Sequence, residues 1–166
     1  ALPISLECER SCRHCYHLPE ERKSEHISYE RLDRLFKLIS EEYKSAWFIW
    51  HGGEPLQLPF SFYRKAFDLQ DKHFGKDSHR VGNTIQTNGV NINRKFVRFF
   101  ENNSVNVGIS YEGPYNDILR SMTGETEEAI KLMQKQNAKF TVSCTLSGET
   151  ADKQLELYRY FSDLGI

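Results

Sequence analysis

The sequence predicts an α/β fold with a parallel sheet, either a doubly wound open sheet or part of a TIM-type (β/α) barrel, with five βα units present and the sixth truncated. Three observations carry that expectation. Short apolar or alternating segments recur along the chain, each followed by a helical stripe of apolar residues. The connections between them are long enough for right-handed crossovers, which make successive strands parallel. One segment, SAWFIW at 45–50, is a continuous apolar run, the pattern of a strand covered on both faces.

The first strand is LPISLE at 2–7. After Ser28, a residue suited to an N-cap, apolar positions fall at Leu32, Leu35, Phe36, Ile39 and Tyr43, the stripe of a helix with one buried face. The second strand is 45–50, followed by a helix with its stripe at Tyr63, Ala66, Phe67 and Phe74. VGNTIQTN at 81–88 is the third strand, and RKFVRFFEN at 94–102 its helix. VNVGISY at 105–111 and KFTVSCTL at 139–146 alternate with period two, as half-buried strands do. EEAIKLMQKQ at 127–136 gives the fourth helix, and Leu155, Tyr158, Phe161 and Leu164 mark the fifth. The closing SDLGI reads as a helix end, a glycine cap and the start of another strand.

These elements fit one domain over residues 1–166. With 22 basic and 23 acidic residues the net charge is -1, which gives no electrostatic reason to expect nucleic acid or an anionic membrane as partner. No apolar run approaches the roughly 20 residues that span a bilayer. The opening ALPISLE has neither the basic nor the apolar region of a signal peptide. It also lacks an initiator Met, so the chain is expected to be a piece of a longer one.

Alternation in two strands points to a cavity. If Val105, Val107 and Ile109 face helices, then Asn106, Gly108 and Ser110 face the other way. Likewise Phe140, Val142, Cys144 and Leu146 oppose Thr141, Ser143 and Thr145. A packed barrel fills its interior with branched apolar side chains. Small and polar inward positions instead suggest a wide, wet lumen that holds a ligand, the alternative being an edge-exposed polar face. By the same phase Cys144 is expected to be a buried structural thiol.

The chemistry-bearing motif is CERSCRHC, a C-x3-C-x2-C run formed by Cys8, Cys12 and Cys15. It follows the first strand, at the end where barrel active sites are built. Three thiolates can hold three irons of a cubane and leave the fourth open to a small chelating molecule. Alternatively, His14 or His17 could complete a tetrahedral zinc site with the three thiolates. A redox thiol pair is a third reading, although CRHC does not open a helix after a strand. Clustered cysteines of this kind suit a reducing, cytoplasmic compartment better than a secreted one. The second strand ends in HGGEPL, where Gly52 and Gly53 permit close backbone approach and Glu54 offers a carboxylate able to pair with an ammonium.

Taken together, the triplet and the GGE turn resemble the signature of the radical S-adenosylmethionine (SAM) superfamily, C-x3-C-x-Φ-C, in which Φ is an adenine-side aromatic. Here His14 stands at Φ and Tyr16 follows the last cysteine. IQTNG and GISYEGP resemble the strand ends of anaerobic sulfatase maturases and related peptide-modifying enzymes of the SPASM and twitch group. Glu112 stands where that group usually has Asp, and Tyr111 where it has a small aliphatic residue. The resemblance implies a [4Fe-4S] cluster on Cys8, Cys12 and Cys15. It also implies a SAM site built from Gly52, Gly53, Glu54, Asn88, Ser110 and Arg120, with His14 and Tyr16 at the adenine. Reductive cleavage of SAM would give a 5′-deoxyadenosyl radical that abstracts a substrate hydrogen. A peptide or protein substrate is implied, with an electron donor such as flavodoxin or ferredoxin. An enzyme acting on a small metabolite or cofactor precursor, or a non-catalytic metal-binding module, are the alternatives.

Overall fold

A computed structural model of the chain describes residues 2–17, 25–76 and 79–166. Five strands, β1 (Leu2–Ser5), β2 (Ala46–Gly52), β3 (Val81–Thr87), β4 (Val105–Ser110) and β5 (Phe140–Ser143), form one sheet in the order β1-β2-β3-β4-β5. Every neighbouring pair is parallel. Spatial order that follows chain order distinguishes a barrel segment from a doubly wound sheet, whose order reverses. Among the described residues the sheet does not close on itself, as expected of a partial barrel.

The helices are α1 (Tyr29–Glu42), α2 (Phe60–Phe74), α3 (Arg94–Asn102), α4 (Asn116–Leu119), α5 (Thr123–Lys135) and α6 (Gln154–Asp163). Ser28 caps α1 by accepting from the Arg31 amide at 3.3 Å. Asn93 caps α3 through the amides of Lys95 and Phe96. Between helices and sheet lies a core rich in rings. Phe36 meets Phe48 edge-on, and Trp50 stacks on Phe67 and touches Tyr63. The Trp50 indole N–H donates to Asn83 Oδ1 at 2.8 Å, and Asn83 exchanges amide hydrogen bonds with Gln70 at 3.0 Å. Each fully buried large apolar side chain contributes roughly 1.5–3 kcal/mol, so these rings carry much of the clamp between α2 and the sheet. None of the described helices is long and apolar enough to cross a membrane.

Several expectations are corrected. β2 is not covered on both faces: Phe48 and Trp50 are buried, while Trp47 is 60% and Ile49 39% exposed on the concave face. The Trp47 ring lies over the space that Gly82 leaves empty, and its N–H donates to Thr84 Oγ1 at 2.8 Å. β5 stops at Ser143, because the Thr145 amide turns to Glu112 Oε1 at 3.1 Å instead of continuing the ladder. Cys144 therefore lies beyond the strand and is only half-buried, and Leu146 is exposed. On α6 the inward residue is Leu157, with Tyr160 and Phe161 packed beside it, while Leu155 and Tyr158 face solvent. Tyr160 is drawn inward by Tyr111, whose hydroxyl it meets at 2.9 Å. Tyr43 is not on the buried stripe of α1 but at its extended C-cap, exposed. The one-turn helix α4 has no periodic signal in the sequence.

Candidate active site

The cysteine loop leaves β1 at the C-terminal end of the sheet and is tied down from three sides. The amides of Gly53 and Glu54 donate to the carbonyls of Ser5 and Glu7, at 2.9 and 2.7 Å. The Arg13 amide donates to the Leu119 carbonyl at the end of α4, at 2.9 Å. Arg10, with 1% of its surface exposed, donates to the Met122 carbonyl at 2.9 Å and to Thr126 Oγ1. Ser121 and Met122 both have positive φ, which turns that carbonyl toward the loop.

One cavity of about 440 Å³ gathers the residues singled out in the sequence. Cys8, Cys12 and Cys15 line it from the loop, with His14 and Tyr16 at the rim. Gly52, Gly53 and Glu54 line it from the end of β2, Asn88 from just past β3, Ser110 from the end of β4 and Arg120 from the C-cap of α4. All four cysteines are free thiols, and Cys144 does not line this cavity. Among the described residues no three His, Cys, Asp or Glu side chains close on one point at single-ion spacing.

Burial pushes the Cys8 thiol up to about 11. Burial raises Cys12 as well, opposed by the positive charges of Arg120 and Arg10. Partial desolvation, then Arg120, lowers His14 and favours its neutral ring. A cluster needs thiolates, so loading it must release protons from these thiols. The donor set fits an iron–sulfur cluster: three unbridged thiols on one loop, with two guanidiniums placed to offset thiolate charge.

Glu54 is 1% exposed, and burial lifts its carboxyl to about 7 against three hydrogen bonds. Its Oε1 accepts from the Leu56 amide at 2.8 Å and from Thr87 Oγ1 at 2.6 Å; its Oε2 accepts from the Asn88 amide at 2.7 Å. A carboxylate has about four lone-pair sites, so Oε2 keeps one vacant. The two glycines before it meet protein backbone first. A Cβ on Gly52 would collide with the Ser5 carbonyl, and one on Gly53 with the carbonyls of Leu6 and Glu7.

Asn88 is more than a turn residue: its side-chain Nδ2 donates to Glu9 Oε1 at 2.8 Å while its Oδ1 accepts from the Val90 amide. Ser110 Oγ accepts from Gln86 Nε2 at 2.9 Å, which leaves its proton free to donate. The Arg120 side chain is 13% exposed, not a surface cation. Its Nε donates to Glu112 Oε2 at 2.6 Å, and Nη1 stands 4.0 Å from Cys12 Sγ.

Beyond this geometry, the family profile described as the Radical SAM superfamily matches residues 2–161. The chain belongs to the radical SAM superfamily. Members use a [4Fe-4S] cluster and SAM. The radical SAM chain is 28% identical to a serine-type anaerobic sulfatase-maturating enzyme of Bacteroides thetaiotaomicron, covering 98% of itself and 42% of that protein. It is 27% identical to a cysteine-type anaerobic sulfatase-maturating enzyme of Clostridium perfringens, covering 97% of itself and 47% of that protein. The chain thus spans less than half the length of these relatives. Among solved structures, "Native anSMEcpe with bound AdoMet" superposes with a TM-score of 0.88 at 27% identity, over 98% of this chain and 47% of that one. The same enzyme with bound AdoMet and a peptide, Cp18Cys, gives 0.87.

Sequence reasoning missed Arg10, Gln86, Thr87 and His51, all of which line the cavity, and gave no role to Glu112, which holds Arg120. Arg10 sits between the first two cysteines, and nothing local marks it as a buried tether to a segment more than a hundred residues away. Gln86 and His51 were legible by phase, two residues from Thr84 and Ile49 on the concave face.

Proposed function

We propose that this chain is the core of an enzyme that holds a [4Fe-4S] cluster on Cys8, Cys12 and Cys15 and binds SAM in the adjoining cavity, to abstract hydrogen from a peptide or protein. The observation that carries this reading is the shared cavity. Three thiols from one loop face the same space as a buried carboxylate, a serine hydroxyl and a guanidinium.

Each polar residue has a role that its hydrogen bonds leave open. Glu54 Oε2 takes the methionine ammonium on its remaining lone pair. Ser110, its oxygen occupied by Gln86, donates its proton to the methionine carboxylate or the ribose. Arg120 commits Nε to Glu112 and keeps Nη1 for the same carboxylate. His14 and Tyr16 cover the adenine at the rim. The cluster and SAM supply the one-electron cleavage that yields a 5′-deoxyadenosyl radical; the protein orients and shields. The peptide substrate is carried over from relatives named as sulfatase-maturating enzymes, one of them solved with a peptide. An external one-electron donor, flavodoxin or ferredoxin, would serve it in the cytoplasm.

The test is anaerobic reconstitution of the full-length protein. Four irons and four sulfides per chain, a visible spectrum that responds to SAM, and reductant-dependent 5′-deoxyadenosine are expected. One zinc and no sulfide would refute the reading. Deoxyadenosine formed without modification of sulfatase-type peptides would move the substrate to a small metabolite.

A further inference from the structure

We infer that Glu112 is a positioning residue: it fixes Arg120 between the Cys12 thiol and the cofactor's carboxylate, so that SAM binding depends on a side chain that touches neither. The inference rests on the SAM site proposed above.

Glu112 is fully buried, and a buried carboxylate needs a partner. Arg120 Nε supplies it at 2.6 Å. The other oxygen, Oε1, accepts from the Thr145 amide at 3.1 Å, so the carboxylate is held from both ends. Thr145 closes the circuit, because its hydroxyl accepts from Arg120 Nη2 at 3.3 Å. Behind them, the Glu112 amide donates to Asn116 Oδ1, and the Arg120 amide donates to the Asn116 carbonyl at 2.8 Å. Two of the guanidinium's three nitrogens are thereby fixed by groups at the exits of β4 and β5. The third, Nη1, points to Cys12 Sγ at 4.0 Å.

The same segment grips the cysteine loop directly. The residue before Arg120, Leu119, accepts from the Arg13 amide, one position after Cys12. Arg120 therefore cannot shift along its own backbone without moving the loop. A planar fork with one edge anchored presents its free edge in a defined direction, which a lysine in that place would not. Anchoring removes rotamer entropy before the ligand arrives, so the cost does not fall on SAM binding.

The experiment uses the full-length, cluster-loaded protein and reads the SAM dissociation constant from the SAM-dependent spectral change. Glu112→Gln, Arg120→Gln and the double variant are compared, with iron content and melting temperature measured alongside. The double variant places two neutral amides that can bond each other, so it keeps the buried site satisfied. Glu112→Gln should weaken SAM binding about tenfold, the size of one misplaced charged hydrogen bond. In the Arg120→Gln background the same change should weaken it less than twofold, because Glu112 acts through Arg120. Glu112→Asp should recover part of the loss. Independent, multiplying effects would overturn the inference, as would unchanged binding in Glu112→Gln. A wild-type protein that carries four irons yet shows no response to SAM would refute the SAM site itself, and this inference with it.

Discussion

The amide of Glu54 donates to the carbonyl of Glu7 at 2.7 Å, which stitches the GGE turn to the residue before the first cysteine. The neighbouring amide of Gly53 does the same to Ser5. The backbone of Leu6 and Glu7 runs where a Cβ on Gly53 would sit. Gly53→Ala should therefore force these two loops apart. A destabilisation of about 3 kcal/mol is expected, the upper range for overpacking a site lined by backbone. Melting of the protein without iron measures it, and reconstituted iron should fall in parallel.

Glu54 gives stability a pH dependence. Its carboxyl ordinarily titrates near 4.5, and in the fold it titrates at about 7. Because the folded pKa is raised, the folded state holds the proton more tightly than the unfolded chain does. Its contribution is favourable below the unfolded value and is lost as pH rises to about 7, at about 1.4 kcal/mol per pH unit across that window. Glu54→Gln should flatten this slope in a denaturant titration, while lowering stability overall, since its amide turns one donor toward the Thr87 hydroxyl or the Asn88 amide. SAM pairs with the ionised form, so SAM affinity in the wild type should rise as pH passes through about 7.

Much of this arrangement was written locally. Period-two alternation assigned Asn106, Gly108 and Ser110 to the open face correctly, because each β-strand residue's side is fixed by its neighbours. The cysteine loop and GGE turn were legible as motifs, since tight turns and close approaches demand particular residues. The glycines' immediate reason was not: it lies in the backbone of β1's exit, nearly fifty residues earlier. Trp47 and Ile49 looked buried because hydrophobicity does not reveal that a half-closed sheet leaves one face open. Arg10 was passed over for the same reason as Asn83, and Glu112 was noted only as a departure from a motif: a buried polar residue has meaning only through its partner, which the sequence does not name.

Cys144 tests whether the phase of a strand says anything about metal binding. It stands past the end of β5, outside the cavity that the other three thiols line. Cys144→Ala should leave iron and sulfide content unchanged. Alanine at Cys8, Cys12 or Cys15 should abolish stable cluster loading, because three protein ligands are the minimum for the open cubane. Iron and sulfide analysis after anaerobic reconstitution distinguishes the four variants.

Tyr111 separates structural from functional polarity near the site. It is fully buried, and its hydroxyl donates to Glu127 Oε1 at 2.8 Å and meets Tyr160. Burial, reinforced by these two partners, pushes its phenol far above the usual range, so it stays protonated at any working pH. The ring is wedged against Phe161 on the helical side of the sheet, away from the cavity. Tyr111→Phe keeps that packing and removes one hydroxyl, leaving Tyr160 and Glu127 to pair with each other. A loss of about 1 kcal/mol is expected, the net worth of a hydrogen bond whose partners can re-pair. SAM affinity and cluster content should not change, because Ser110, the neighbouring residue, points to the opposite face. A tenfold weaker SAM affinity in this variant, with melting hardly altered, would mean that the outer face of β4 controls the site and that alternation along the strand does not insulate one side from the other.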